Sequence, residues 1–342
     1  MTEFIQYRLH QMAPRPKRIT VLLPDMFQSF LKQAPAVNPH YQSVKVESED
    51  WLNSFCSFGP KMRMKINKCD FSYFCAIAAP HAPPTEFRTL CDWGNWVFPY
   101  DDMFDNGELR DQPEEAKRVM DSLLIPMLGG ELDRDRRRIV QVHDTVVERM
   151  SMESSPSTQQ RFAKAMYGYC YGALKQVDYY AIGRAPTLEE MVLLRRESSG
   201  VRPLYHLVEY AHALKVPDEV FEDPTIIELE ELGVDMVSIS NDILSYRKEQ
   251  LEGVPHNMVT ICRMRGMLAQ RAFDTVGKLL DSVYNQWNET ETKVPSWGKK
   301  LTLRSESTLK ESRLWSKLIY AGASNPNDTS GRTRTKLSKL DD

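Results

Sequence analysis

The sequence predicts an all-α protein, and three observations point that way. Apolar residues recur at helical spacing over long stretches, strand-like alternation is scarce, and the 20 prolines and 16 glycines fall mostly between periodic stretches. Hairpin dipeptides flanked by β-branched runs are absent. In chain order, helical spacing marks residues 114–128, 135–150, 158–181, 187–198, 204–214, 226–250 and 258–288. No Ser/Gly-rich linker divides residues 20–298, which read as one domain. Residues 1–19 read as a loose leader. Residues 299–342 read as an atypical tail, polar and nearly free of large apolar groups over 324–342, where disorder is expected.

Bulk composition narrows the function classes. With 342 residues and 42% hydrophobic content, the chain can fill one large core or two smaller ones. A formal charge of -3 and a pI near 6.2 give no reason to expect a nucleic-acid partner. The six cysteines (Cys56, Cys69, Cys75, Cys91, Cys170 and Cys262) are scattered, with no C-x-x-C pair and no Cys/His cluster at zinc spacing. They read as reduced, mostly buried thiols of a cytoplasmic protein. The N-terminus lacks the unbroken apolar stretch of a secretory signal, and nowhere do about 18 apolar residues run together, so no membrane span is expected.

The first chemical signal lies in Leu90–Asp105. At about 100° per residue, Leu90, Trp93, Val97, Asp101 and Asp105 share one stripe, so two carboxylates continue an apolar, aromatic face. An unpaired carboxylate is expensive to bury, and such a face calls for a cation or for hydrogen-bond partners. A hard divalent ion held by one or two carboxylates plus substrate phosphate meets that demand. Pro99 cannot donate to the helical ladder and is expected to kink the helix just ahead of the acids. The competing reading is an acidic helix end facing water.

The second signal is Asn241-Asp-Ile-Leu-Ser245-Tyr-Arg-Lys-Glu249. Asn241, Ser245 and Glu249 are spaced i, i+4, i+8 and spread over about 80° of a helix, along about 12 Å of its axis. Gly233 and Val237 precede them on the same line. An amide oxygen, a hydroxyl and a carboxylate are hard donors, suited to magnesium and not to zinc. A solvated polar face is the competing reading. Two such oxygen-donor sets on helices, about 140 residues apart, outweigh it together.

These residues resemble the two metal motifs of class I terpene synthases: D-D-x-x-D at Asp101–Asp105 and N-D-x-x-S-x-x-K-E at Asn241–Glu249. More narrowly, the chain resembles the sesquiterpene cyclases of mushroom-forming fungi over about residues 20–298. Weaker supporting stretches are LPDMF (23–27), NPHY (38–41), DDMFDNGELRD (101–111), LLRRESSG (193–200) and VPSWG (294–298). The resemblance implies a single-domain α-bundle around a central cavity, and three Mg²⁺ ions gripping the diphosphate of an allylic substrate, farnesyl diphosphate. Asp101 and Asp105 would hold two ions, and Asn241, Ser245 and Glu249 the third. In Arg195-Arg196-Glu-Ser-Ser-Gly200 the resemblance makes Arg196 the diphosphate sensor and Gly200 the helix-break effector, while Lys248 also contacts diphosphate. Pro203 is expected to disfavour helix at Arg202. Among the clustered aromatics Trp93, Trp96, Phe98 and Tyr100, Phe98 is the expected wall of the carbocation cavity, since π faces stabilise a cation without offering a nucleophile. A soluble monomer or homodimer is expected.

The family pattern fails in one place. Such cyclases carry an Arg-Tyr pair near the C-terminus, and this sequence has no Arg-Tyr dipeptide. The run KKLTLRSESTLKESRLWSKLIY, after Gly298, does not resemble the expected last helices. A missing lid would admit water and weaken the activity. Two other readings follow: a chain-elongating prenyltransferase, which would want a second aspartate-rich motif, and an impaired or non-enzymatic helical paralogue.

Overall fold

Capping residues set where several of the helices begin. Ser155 accepts a hydrogen bond from the Thr158 amide, Thr187 and Glu190 form a reciprocal capping box, and Asp223 accepts from the amides of Thr225 and Ile226. Prolines occupy first-turn positions after four further caps, where their missing N–H costs nothing. The computed structural model describes residues 18–26, 34–130, 135–295 and 340–341. The described α-helices are α1 (Tyr41–Phe55), α2 (Pro60–Cys69), α3 (Phe71–Ala78), α4 (Pro84–Asp105), α5 (Pro113–Leu124), α6 (Arg138–Glu153), α7 (Pro156–Ala181), α8 (Leu188–Ser198), α9 (Val201–Ala211), α10 (Asp218–Phe221), α11 (Pro224–Glu252), α12 (Met258–Met264) and α13 (Ala269–Glu291). Among the described residues the only β pairing is antiparallel and two residues long, joining Arg18–Ile19 to Leu340–Asp341. The fold is all-α, as the periodicity predicts. The rest of the expected leader and tail, including the VPSWG run beyond Pro295, lies outside the described residues.

Some boundaries differ from the sequence reading. The single helix expected over 258–288 is two, α12 and α13, because Gly266 takes a left-handed φ of +83° between them. Arg202 is helical despite Pro203, which sits in the first turn of α9, where a backbone donor is not needed. Helix α4 runs through Pro99 without interruption. Helices α1 to α3 carry no marked periodicity in the sequence.

The apolar side chains form two clusters. One joins α1 to α7 with α9 and includes Trp93, Trp96, Tyr100, Phe162 and Tyr169. The other joins α8 and α10 to α13 with the N-terminal Val21 and Met26, and centres on Met236, Ile239, Ile243, Phe273, Leu280 and Trp287. A fully buried side chain of this kind contributes about 1.5–3 kcal/mol. Helix α4 belongs to the first cluster and α11 to the second, so the two carboxylate motifs lie on opposite sides of the boundary between them.

Candidate active site

The C-terminal ends of α4 and α11 meet. Asn106, the C-cap of α4, donates its amide to Glu252 Oε2 at 3.1 Å, and the Lys248 ammonium lies 5.2 Å from the Phe98 ring centroid. Asp101 and Asp105 project from α4 toward this junction, and Glu249 is close enough to Asp105 to raise its pKa. Burial is the first cause lifting Asp101 from 3.8 to about 6, opposed by the Tyr169 hydroxyl, which donates to Asp101 Oδ1 at 2.9 Å, and by the Arg195 charge. Burial also pushes Asp105 well above the carboxylate range, with Asp101 and Glu249 adding to the rise.

Arg195 stands between the two motifs. Its Nη2 donates to Asn241 Oδ1 at 2.9 Å and pairs with Asp242 Oδ1 at 3.0 Å, and its charge faces Asp242, Glu249, Asp105 and Asp101. Desolvation raises Asp242 to about 7, although Arg195 and the Met258 amide (2.7 Å from Oδ2) hold it down. The Arg195 guanidinium thus pairs with one carboxyl group, Asp242, while its charge acts on Glu249, Asp105 and Asp101 at the boundary of two apolar clusters. Asn257 donates to Glu249 Oε2 at 2.9 Å. Asp102, the middle acid of the first motif, pairs with Lys65 of α2, and Lys248 with Glu252 at 3.5 Å.

Not every expected residue faces this junction. Arg196 turns away from the carboxylates: its Nε and Nη2 form a fork on Asp235, both at 2.8 Å, and its Nη1 donates to Glu231 at 2.6 Å. Adjacent helical residues point about 100° apart, so only one of the pair can face the site. Arg195 is the arginine that faces Asn241 and Asp242. Phe98 lies at the rim, tilted against Phe71 at 5.8 Å and beneath the Lys65 and Lys248 ammonium groups. The α4 side chains nearest the helix break are Trp93 and Val97, which continue the stripe to Asp101. Gly200 breaks α8 from α9 with a φ of +72°, and a side chain there would touch Val97, Trp93 and Tyr169. Sequence reasoning chose Arg196 over Arg195 and did not single out Lys65, Tyr169 or Asn257, which border this junction. The Arg-Arg pair did signal Arg195, whereas Lys65 and Asn257 carry no spacing signature.

The donor chemistry fits a hard divalent cation. The Ser245 hydroxyl and Arg195 Nε are buried with no hydrogen-bond partner among the described residues. The acids are desolvated beyond what one guanidinium balances. Among the described residues no three His, Cys, Asp or Glu side chains converge to hold an ion unaided. Mixed donors that keep sites open for substrate phosphate oxygens are the usual arrangement for magnesium. No helix among the described residues is long and apolar enough to cross a membrane.

The helical bundle and the oxygen-donor motifs that face each other across it are the frame for the comparisons with known proteins. Residues 92–286 match terpene synthase family 2, C-terminal metal binding. The chain is 36% identical over 296 residues to silphinene synthase from Penicillium patulum, covering 84% of this chain and 80% of that protein. It is 33% identical to (+)-eremophilene synthase from Gibberella fujikuroi, covering 82% of this chain and 80% of that one. It is 30% identical to sesquiterpene synthase 1 from the basidiomycete Postia placenta, covering 77% of each. Among solved structures, a-eudesmol synthase superposes with a TM-score of 0.76 at 21% identity, covering 85% of this chain and 96% of that one. The chain belongs to the class I terpene synthase family.

Proposed function

We propose that this chain is a magnesium-dependent sesquiterpene cyclase, which ionises farnesyl diphosphate, closes the allylic carbocation into rings and releases diphosphate. One observation carries the reading: the oxygen donors of α4 and α11 meet around Arg195 between two apolar clusters. Asp101 and Asp105 would hold magnesium from one side, and Asn241, Ser245 and Glu249 from the other, with three ions in all. Bound magnesium supplies positive charge that neutralises the departing diphosphate.

The chain's own residues do the rest. Arg195 offers diphosphate a planar fork of donors, and Lys248 a point charge at the rim. The break at Gly200 separates α8 from α9, and Val97, Trp93 and Tyr169 line the space beside Gly200. These apolar and aromatic faces exclude water and stabilise positive charge without supplying a nucleophile. Tyr169 commits its proton to Asp101. On this reading the protein is soluble and cytoplasmic, and acts on a small molecule as a monomer or homodimer.

The test is incubation with Mg²⁺ and geranyl, farnesyl or geranylgeranyl diphosphate, followed by gas chromatography of the volatiles. Sesquiterpene hydrocarbons are expected from farnesyl diphosphate. They should vanish with a chelator and in Asp101→Ala and Asn241→Ala. Unchanged turnover in either variant overturns the reading. So do longer chains formed when isopentenyl diphosphate is added.

A further inference from the structure

Asn257 lies in the connection between α11 and α12, is fully buried, and uses every polar atom of its side chain. Its Oδ1 accepts from the amides of Val259 and Thr260, at 2.8 and 3.1 Å, and so caps α12. Its Nδ2 donates to the Asp242 carbonyl at 2.8 Å and to Glu249 Oε2 at 2.9 Å. Capping needs only the oxygen. Serine, aspartate and asparagine cap about equally well, and of the three only asparagine has a second arm that donates. That arm reaches back to Asp242 and Glu249 together, 15 and 8 positions earlier in the chain. The next amide, Met258 N, holds Asp242 Oδ2, whose other oxygen pairs with Arg195.

We propose that Asn257 is a positioning residue for the metal site: it commits one oxygen of Glu249 and so fixes how that carboxylate is presented to the cation. The inference rests on the reading of Glu249 as a metal ligand given above. Groups that orient metal-binding carboxylates typically change metal affinity about 10–100-fold when removed. Without Nδ2, Glu249 is free to turn away from the repulsion of Asp105 and Asp242, which lie close enough for each to feel its charge.

Asn257→Ser separates the two roles, since a serine hydroxyl keeps the cap but cannot reach Glu249. The measurement is calorimetric titration of the full chain with Mg²⁺ in the presence of inorganic diphosphate, paired with thermal melting of the metal-free protein. Asp223→Ala, which removes the α11 cap, is the purely structural control. The expected result is Mg²⁺ affinity about 10-fold or more weaker in Asn257→Ser, with a metal-free melting temperature close to wild type. Asp223→Ala should lower the melting temperature and leave the affinity unchanged. Equal affinities for Asn257→Ser and wild type overturn the proposal. A loss of affinity matched by an equal loss in Asp223→Ala at the same melting temperature also overturns it, since it would trace to stability alone. If wild type itself takes up no Mg²⁺ with diphosphate, the functional reading fails first and this inference falls with it.

Discussion

Asp101→Asn should stabilise the metal-free protein at pH 8 while abolishing turnover. In the folded state burial holds Asp101 near 6 instead of 3.8, so folding favours the protonated carboxyl. The stability this contributes is fully present below pH 3.8 and is lost as the pH rises through about 6. At about 1.36 kcal/mol per pKa unit, a rise of that size amounts to about 3 kcal/mol, and the partial exposure of Asp101 reduces it to about 2 kcal/mol. An asparagine mimics the protonated acid in shape, can still accept from the Tyr169 hydroxyl, and does not ionise. The assay is urea unfolding of both proteins in chelator at pH 4 and pH 8. Taking the difference between them cancels opposing contributions, such as that of His143. The variant should match wild type at pH 4 and exceed it by about 2 kcal/mol at pH 8. Magnesium with inorganic diphosphate should then stabilise wild type and leave the variant almost unmoved. A stability difference that stays flat between the two pH values would refute the idea that these carboxylates are held desolvated for a cation.

Arg195→Met should lower kcat by about 100-fold or more, whereas Arg196→Met, which breaks the fork on Asp235 away from the carboxylates, should chiefly lower the melting temperature; steady-state kinetics beside melting curves separates them. A Cβ at Gly172 would fall 2.7 Å from both the Ser198 nitrogen and Glu197 Cβ, so Gly172→Ala should force α8 off α7 and cost about 1–3 kcal/mol in denaturant unfolding. His143 is fully buried beside Trp96 and Phe162, and burial lowers it from 6.5 to about 3. Its neutral form therefore stabilises the fold above pH 6.5, and that stability is lost as pH falls toward 3. His143→Leu should lose less stability than wild type between about pH 6.5 and 4, and equal slopes in acid denaturation would count against this account.

Helices α7, α8 and α11 were legible because each has long apolar spacing and a cap at its start, and the two motifs because their donors fall on single stripes. Helix α1 was not legible, since its buried face is partly polar. Ser48 accepts from Asn95, and Glu49 is held by Lys45 and Asn67, so partners elsewhere in the fold satisfy groups that break the apolar period. The choice between Arg195 and Arg196 depends on how α8 is rotated against α11, and tertiary packing decides that rotation. The two lysines that cover Phe98 come from α2 and from the far end of α11, and no local pattern around Phe98 announces them. Asn257 was invisible for a different reason: its donors act across a turn whose path no local pattern specifies.

The two-cluster architecture explains why so much charge can be buried at one place without dissolving the fold. Each apolar cluster closes on its own side chains, Trp96 and Tyr100 in one and Trp287 and Phe273 in the other, so neither depends on the acids for its packing. Asp101 and Asp105 on one side and Asp242 and Glu249 on the other are tied by Arg195, whose attachment to Asn241 and Asp242 leaves the α4 acids without a fork of their own. On the proposed function, ions held by Asp101 and Asp105 on α4 and by Asn241, Ser245 and Glu249 on α11 would add positive charge where the Arg195 guanidinium alone now faces these acids. Diphosphate would compete with Asn241 and Asp242 for the same guanidinium. On that reading, neither the ions nor diphosphate alone would balance the charge buried at this boundary.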